Sequence, residues 1–222
     1  MIAVHHLEDS RSQRVLWLLE ELGLDYQIEH YKRDPKTMLA PDTLKDVHPL
    51  GRSPVIVDGE RTIAETGAII EYLVDAYGEG ALRPPENTDE RLRYTYWLHF
   101  AEGSMMPLLL LALVLEKLGK PPVPLIVRPA GMVLGSGVKK KFLTPRLDAQ
   151  LEYIDSELQR SEWFAGDQFT AADIQMSFPL EALDTRTGLG GQYPKIGDYL
   201  KRIHERPDYK TALRRGGPYA YA

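Results

Sequence analysis

The sequence predicts a small α/β domain followed by an all-α domain, and three observations carry that expectation. The first eighty residues spell strand, helix, strand, helix, strand, strand, helix. A polar break with two prolines, LRPPENTD at 82–89, then interrupts the pattern. From Thr88 onward no segment alternates as a strand does. The boundaries read as residues 1–82 for the first domain, 83–88 for a linker and 89–222 for the helical domain. A chain of 222 residues with 43% hydrophobic content buries a substantial core as either one domain or two, so size alone does not decide.

IAVHHL, 2–7, reads as a short strand. After the polar EDSRS, Val15, Leu16, Leu18, Leu19 and Leu22 recur at helical spacing, and Gly23 ends that helix. YQIEHY, 26–31, alternates as a strand, and the proline-punctuated stretch after it has room for a short helix. PVIV, Asp58-Gly59 and RTIA form a hairpin, because Asp-Gly supplies the positive φ a tight turn needs. ETGAIIEYLVDAYG follows as a helix with Ile69, Leu73 and Ala76 on one face. Helices covering a small mixed sheet make a complete α/β unit.

In the second half, Thr170 and Asp173 stand at capping-box spacing, with Phe169 as the apolar residue outside the helix. Glycines 131, 135 and 137 invite a phosphate-loop reading, but the Walker spacing is wrong, and a flexible interhelical loop is expected instead. Lysines 139–141 read as a solvated helix face.

A net charge of −5 with interspersed acids and bases gives no footprint for nucleic acid or an anionic membrane. The absence of cysteine excludes disulfides, thiolate zinc sites and a cysteine nucleophile, so any thiol chemistry needs a thiol from outside. The N-terminus has no secretory pattern, and the apolar 105–115 stretch is too short to span a bilayer, so a cytoplasmic protein is expected. His5 and His6 point to opposite strand faces, His99 and His204 lack a partner at ligand spacing, and no metal is expected.

The densest stretch is RSPVIVDGERTIAET, 52–66. Pro54 marks either a strand's edge or first residue, or a cis bond that leaves the Val55 main chain open to an extended peptide. Glu65 and Thr66 open a helix whose amides and dipole favour a carboxylate, unless Thr66 only caps its own helix. With Arg52 nearby, the group offers a cation, a main-chain rung, an acid and an anion site. A short peptide carrying carboxylates and one free amine matches it.

HHLEDSRSQRVLWLLEELGL, HPLGRSPVIVDG, ETGAIIEYL and FTAADIQMSFPL, in that order, resemble the cytosolic glutathione transferase superfamily, particularly its serine-type bacterial and fungal members. The resemblance covers nearly the whole chain and is weakest around 119–140. It implies a thioredoxin-like N-terminal domain and an all-α C-terminal domain. It further implies that Pro54 is cis, that Val55 bonds the cysteinyl main chain of glutathione, and that Arg52 meets the glycyl carboxylate. Glu65 would take the γ-glutamyl amine and Thr66 its carboxylate. His48-Pro49 stands where relatives often have Asn-Pro, which leaves His48 without an assigned role.

A thiol near pKa 8.5 is mostly protonated at neutral pH, and lowering it by about two units favours the reactive anion by roughly 2.7 kcal/mol. By resemblance Ser10 donates to the sulfur, with Ser12 as the alternative. Ser10 and Gln13 also have capping-box spacing, so Ser10 has a competing structural use. Tyr96, His99, Met105, Met106 and the PYAYA tail are candidates for an apolar-substrate wall, or for core and dimer packing. The resemblance implies a homodimer using glutathione as co-substrate, with no permanent cofactor. The expected activity is glutathione transfer to an apolar electrophile or reduction of a hydroperoxide; the alternative is a non-catalytic glutathione-binding carrier or assembly protein.

Overall fold

The computed structural model describes residues 1–222. β1 (Ile2–Leu7), β2 (Tyr26–Tyr31), β3 (Val55–Asp58) and β4 (Arg61–Ala64) form one sheet in the order β2-β1-β3-β4. β1 runs parallel to β2 with Ile2 opposite Tyr26, and antiparallel to β3 with His5 opposite Val55. β3 and β4 close the hairpin around Gly59, whose φ of 59° is the left-handed value the turn demands. α1 (Ser12–Glu21) packs on β1, and α2 (Thr66–Tyr77) packs on β3 and β4. Val15, Leu16, Leu18 and Leu19 are all fully buried, each worth about 1.5–3 kcal/mol on transfer from water. The chain between β2 and β3 contributes one 3-10 turn, Asp42–Asp46.

The helical half holds α3 (Asp89–Phe100), α4 (Met106–Lys117), α5 (Arg128–Val138), α6 (Thr144–Arg160), α7 (Ala171–Thr187), α8 (Pro194–Glu205) and α9 (Pro207–Gly216). α3 and α4 are joined by a π-helical turn at Ala101–Met105, giving a 29-residue run, Asp89–Lys117. By length and composition that run is long enough to cross a membrane, unlike the 105–115 stretch alone; in this fold one of its faces lines the cavity described below. The apolar core is continuous from Val4 in the sheet to Ala212 in α9, with no break between the halves.

α7 is the hub of the helical half. Every residue from Ala171 to Leu183 is buried, and the helix packs against α1, α2, α3 and α8. Asp173 at its start accepts the Thr170 main-chain N–H at 2.8 Å and the Thr170 hydroxyl at 3.0 Å, the reach-back the spacing predicts. Pro179 lies inside the helix and has no N–H, so the carbonyl four residues earlier, at Gln175, loses its helical donor. Arg14 of α1 fills the gap, its Nη1 donating to that carbonyl at 2.6 Å. A defect in one domain is thus repaired by a side chain from the other. Arg206 adds a bidentate pair to Glu21 of α1, both bonds at 2.6 Å.

Two expectations need correction. Glycines 131, 135 and 137 lie within α5, not in a loop. A Cβ at 131 would fall 2.4 Å from the Leu118 carbonyl oxygen and one at 135 would fall 3.1 Å from that of Leu115, so the small residues let α5 approach the end of α4 closely. The Ser10–Gln13 capping box does not form: both polar atoms of the Gln13 side chain are buried without a partner, and the N-cap position of α1 is Arg11.

Candidate functional site

The two halves enclose a cavity of about 750 Å³. The wall from the sheet domain is polar, with Ser10, Arg11, Arg52 and Ser53. The opposite wall is apolar, built from Met106, Leu109, Leu110 and Leu113 of α4 together with Phe178 of α7 and Tyr221 of the tail. Such a cavity suits a ligand with one charged, extended end and one greasy end.

Ser10 sits in the turn between β1 and α1, nearly buried yet open to the cavity. That turn is braced from both sides. Arg33 donates to the main-chain oxygens of Glu8 at 3.2 Å and Asp9 at 3.1 Å, and Asp9 accepts the Ala220 N–H at 2.7 Å. Ser10 Oγ lies 2.7 Å from Ser12 Oγ and accepts the Ser12 N–H at 3.2 Å. Ser12 is fully buried behind it, 2.8 Å from His6 Nδ1, so of the two serines Ser10 is the one that faces the cavity. Burial and the neighbouring His30 push the His6 ring down to about pKa 4, which leaves it neutral at physiological pH.

The Ser53–Pro54 bond is cis. Val55, however, does not offer a rung. It is fully buried and stands in register with His5 on one side and Ala64 on the other, so it has no open edge. The free rung lies one residue before the proline. Ser53 Oγ donates to the His5 carbonyl at 2.9 Å and accepts the Leu7 N–H at 3.3 Å, filling the ladder with its side chain. The main-chain N–H and C=O of Ser53 make no hydrogen bond within the protein. Arg52 beside it is exposed and has no side-chain partner; the turn ahead is held by the Gly51 N–H to the His48 carbonyl at 2.8 Å.

Glu65 and Thr66 lie outside the cavity's lining, directly after Ala64, which pairs with Val55. Glu65 occupies the N-cap position of α2 with φ 72° and ψ 124°, a conformation that costs a non-glycine residue about 1–3 kcal/mol. Thr66 is the first helical residue rather than the cap, and its hydroxyl is buried without a partner. Reading Thr66 as its own helix's cap therefore fails.

On the apolar wall only Met106 of the four candidates in this helical run lines the cavity. Met105 is fully buried in the core, Tyr96 meets Trp97 and Tyr153 edge-on and Phe100 at a tilt, and His99 is exposed away from the lining. As neighbours on a helix, Met105 and Met106 lie on different faces. Met106, Leu109, Leu110 and Leu113 follow i, i+3, i+4, i+7, a periodicity that marks this wall in the sequence. Nothing in the sequence marked Glu102. It lies in the π-turn, accepts from Arg11 at 2.7 Å and from Arg14 at 2.5 Å, and closes one side of the cavity. Burial alone would raise its pKa, but the Arg14 and Arg11 guanidiniums hold it below the usual carboxylate range.

A thioredoxin-like sheet domain that presents a serine hydroxyl and an unpaired main-chain rung to a helical partner defines a two-domain fold with its site at the domain joint. Family models for the glutathione S-transferase N-terminal domain and C-terminal domain match residues 10–76 and 118–207. The chain belongs to the glutathione S-transferase family. It is 37% identical to glutathione S-transferase 3 of Schizosaccharomyces pombe over 97% of this chain and 88% of the relative. Glutathione S-transferase 1 of Saccharomyces cerevisiae is 31% identical over 96% of this chain and 94% of the relative. Among solved structures, a glutathione S-transferase of Actinobacillus pleuropneumoniae superposes with a TM-score of 0.82 at 33% identity, covering 99% of this chain and 94% of the other.

Proposed function

We propose that this protein is a glutathione transferase in which Ser10 stabilises the glutathione thiolate for attack on an apolar electrophile or a hydroperoxide. The observation that carries the reading is the Ser10 hydroxyl on the polar wall of a cavity that is also lined by Met106, Leu109, Leu110 and Leu113 of α4. The Ser53 N–H and C=O grip the cysteinyl main chain in place of Val55, with Pro54 setting the turn. Arg52 meets the glycyl carboxylate, Glu65 takes the γ-glutamyl amine, and the idle Thr66 hydroxyl with the α2 N-terminus takes the α-carboxylate. The electrophile rests on Met106, Leu110, Phe178 and Tyr221. The protein works in the cytoplasm as a homodimer, without a permanent cofactor or metal.

Support comes from the family, from the unpaired Ser53 main chain at the cavity wall, and from the unpartnered Thr66 hydroxyl and strained Glu65 backbone at the start of α2. The test is turnover of a generic aryl halide and of an organic hydroperoxide with glutathione, on wild type and Ser10→Ala. Loss of turnover in the variant supports the reading. Retention on immobilised glutathione with no turnover of either substrate makes the protein a carrier. A melting point unmoved by millimolar glutathione removes the glutathione site altogether.

A further inference from the structure

We propose that His6 is a positioning residue for this chemistry, acting through Ser12 to set which way the Ser10 hydroxyl points. The inference rests on the reading of Ser10 as the sulfur's hydrogen-bond partner. The three groups form one buried line: Ser10 Oγ to Ser12 Oγ at 2.7 Å, and Ser12 Oγ to His6 Nδ1 at 2.8 Å. Their residues are 6%, 0% and 3% exposed, so water does not compete for these bonds.

A proton count shows what the line does. Each hydroxyl has one hydrogen, and a neutral imidazole has one N–H. When His6 carries its hydrogen on Nδ1, it donates to Ser12, and the one Ser12 hydrogen goes to Ser10 at 2.7 Å in preference to the more distant Leu7 carbonyl at 3.3 Å. Ser10 then accepts twice, from the Ser12 hydroxyl and from the Ser12 N–H at 3.2 Å. Both its lone pairs are filled, and its own hydrogen is the one group left for the cavity. When the ring carries its hydrogen on Nε2, the line runs inward: Ser10 gives its hydrogen to Ser12 and turns a lone pair toward the ligand. A thiolate is stabilised by the first arrangement and repelled by the second. An anionic sulfur in the cavity therefore selects the outward line, and His6 supplies the N–H that makes it available.

The surroundings of His6 suit a group that directs hydrogen bonds without taking up a proton. His30 of β2 meets it edge-on at 5.7 Å between ring centroids, and burial keeps the ring neutral. Asp9 and a hydrogen bond from the ring to the Gly216 main chain favour its charged form; that bond uses Nε2, so in the neutral ring it belongs to the inward line and is given up when the sulfur selects the outward one. Gly216 of α9 lets α1 close up beside the ring: a Cβ there would stand 2.6 Å from Gln13 Oε1 and 2.9 Å from Leu16 Cδ1.

The experiment is a pH titration of the ultraviolet absorbance of the thiolate of bound glutathione, alongside aryl-halide turnover, for wild type, Ser10→Ala, Ser12→Ala, His6→Leu and His6→Asn. Asparagine places its amide N–H where Nδ1 stands. Ser12→Ala and His6→Leu are each expected to raise the midpoint of thiolate formation by about one unit, equivalent to roughly tenfold less thiolate at a fixed pH. Turnover is expected to fall by the same factor with the glutathione KM within about twofold, and to recover at alkaline pH. His6→Asn restores most of the loss, which a purely structural role would not predict. If Ser10→Ala shifts the midpoint while Ser12→Ala and His6→Leu leave it at the wild-type value, the role of His6 is refuted and the reading of Ser10 stands. If Ser10→Ala leaves it unmoved, both fail together. Where His6→Leu does not fold, the smaller Ser12→Ala change decides.

Discussion

The Asp173 carboxylate accepts the main-chain N–H of Phe164 at 2.9 Å and so ties the loop ahead of α7 to that helix's first turn. Together with its bonds to Thr170, the side chain satisfies two main-chain donors in a fully buried setting. Asp173→Ala is expected to lower stability by about 2–4 kcal/mol, the sum of a lost cap and unsatisfied buried N–H groups, measured by denaturant unfolding. Burial lifts the Asp173 pKa to about 6 from 3.8, so the fold favours the protonated form. Its contribution to stability is full below 3.8 and is lost as pH rises through about 6. Asp173→Asn removes that slope, and a wild-type stability profile without it overturns the assignment.

Glu102 is the counter-charge of Arg14, a side chain only 1% exposed. Glu102→Gln leaves that cation buried with half its support and is expected to destabilise the protein by about 3 kcal/mol. The depressed pKa of Glu102 gives the sign of the pH dependence. Its stabilisation is present above the ordinary carboxylate value and disappears as pH falls through the lowered one. Melting temperatures of wild type and variant, well apart at pH 7, are expected to converge on acidification.

Removing the Ser10 hydroxyl deletes one hydrogen bond to an anion, worth about 1.5–3 kcal/mol. Ser10→Ala is expected to lower turnover at neutral pH by about tenfold to a hundredfold. Glutathione affinity changes less, because the peptide's ends are held elsewhere. Steady-state kinetics with varied glutathione separate the two effects.

Arg52→Ala removes binding that is equal in the ground and transition states, so it is expected to raise the glutathione KM about tenfold with kcat nearly unchanged. Thr66→Val distinguishes two uses of a hydroxyl. Because the Thr66 hydroxyl has no partner in the protein, its loss is expected to leave the melting temperature level or raised while weakening glutathione binding. Calorimetric titration and thermal unfolding of the same sample measure both.

Strands and hairpin were legible because period-two alternation and Asp58-Gly59 are local signals. Thr170 and Asp173 were legible for the same reason, since a capping pair is four residues wide. At the polar end, Ser10 and Arg52 were legible as residues that line the cavity and Pro54 as a cis proline, whereas Glu65 and Thr66 stand outside the lining. The displacement of the free rung from Val55 to Ser53 was hidden because it depends on which neighbours β3 acquires, and those come from β1, some fifty residues away. His99, seven residues before Met106, would share its face in a uniform helix, and the π-turn between them rotates it away; Met105, adjacent to Met106, points into the core as neighbouring helical residues do. Glu102 and His6 depend on partners from distant segments, and neither carries a motif of its own.

Pro179 has a consequence for anyone recombining this protein with its relatives. A hybrid that takes the sheet domain from one parent and the helices from another inherits the bare Gln175 carbonyl without any guarantee of a guanidinium to cover it. Arg14, Glu102 and Pro179 should be transplanted as a trio, and a swap that splits them is expected to yield insoluble product even where each half comes from a stable parent.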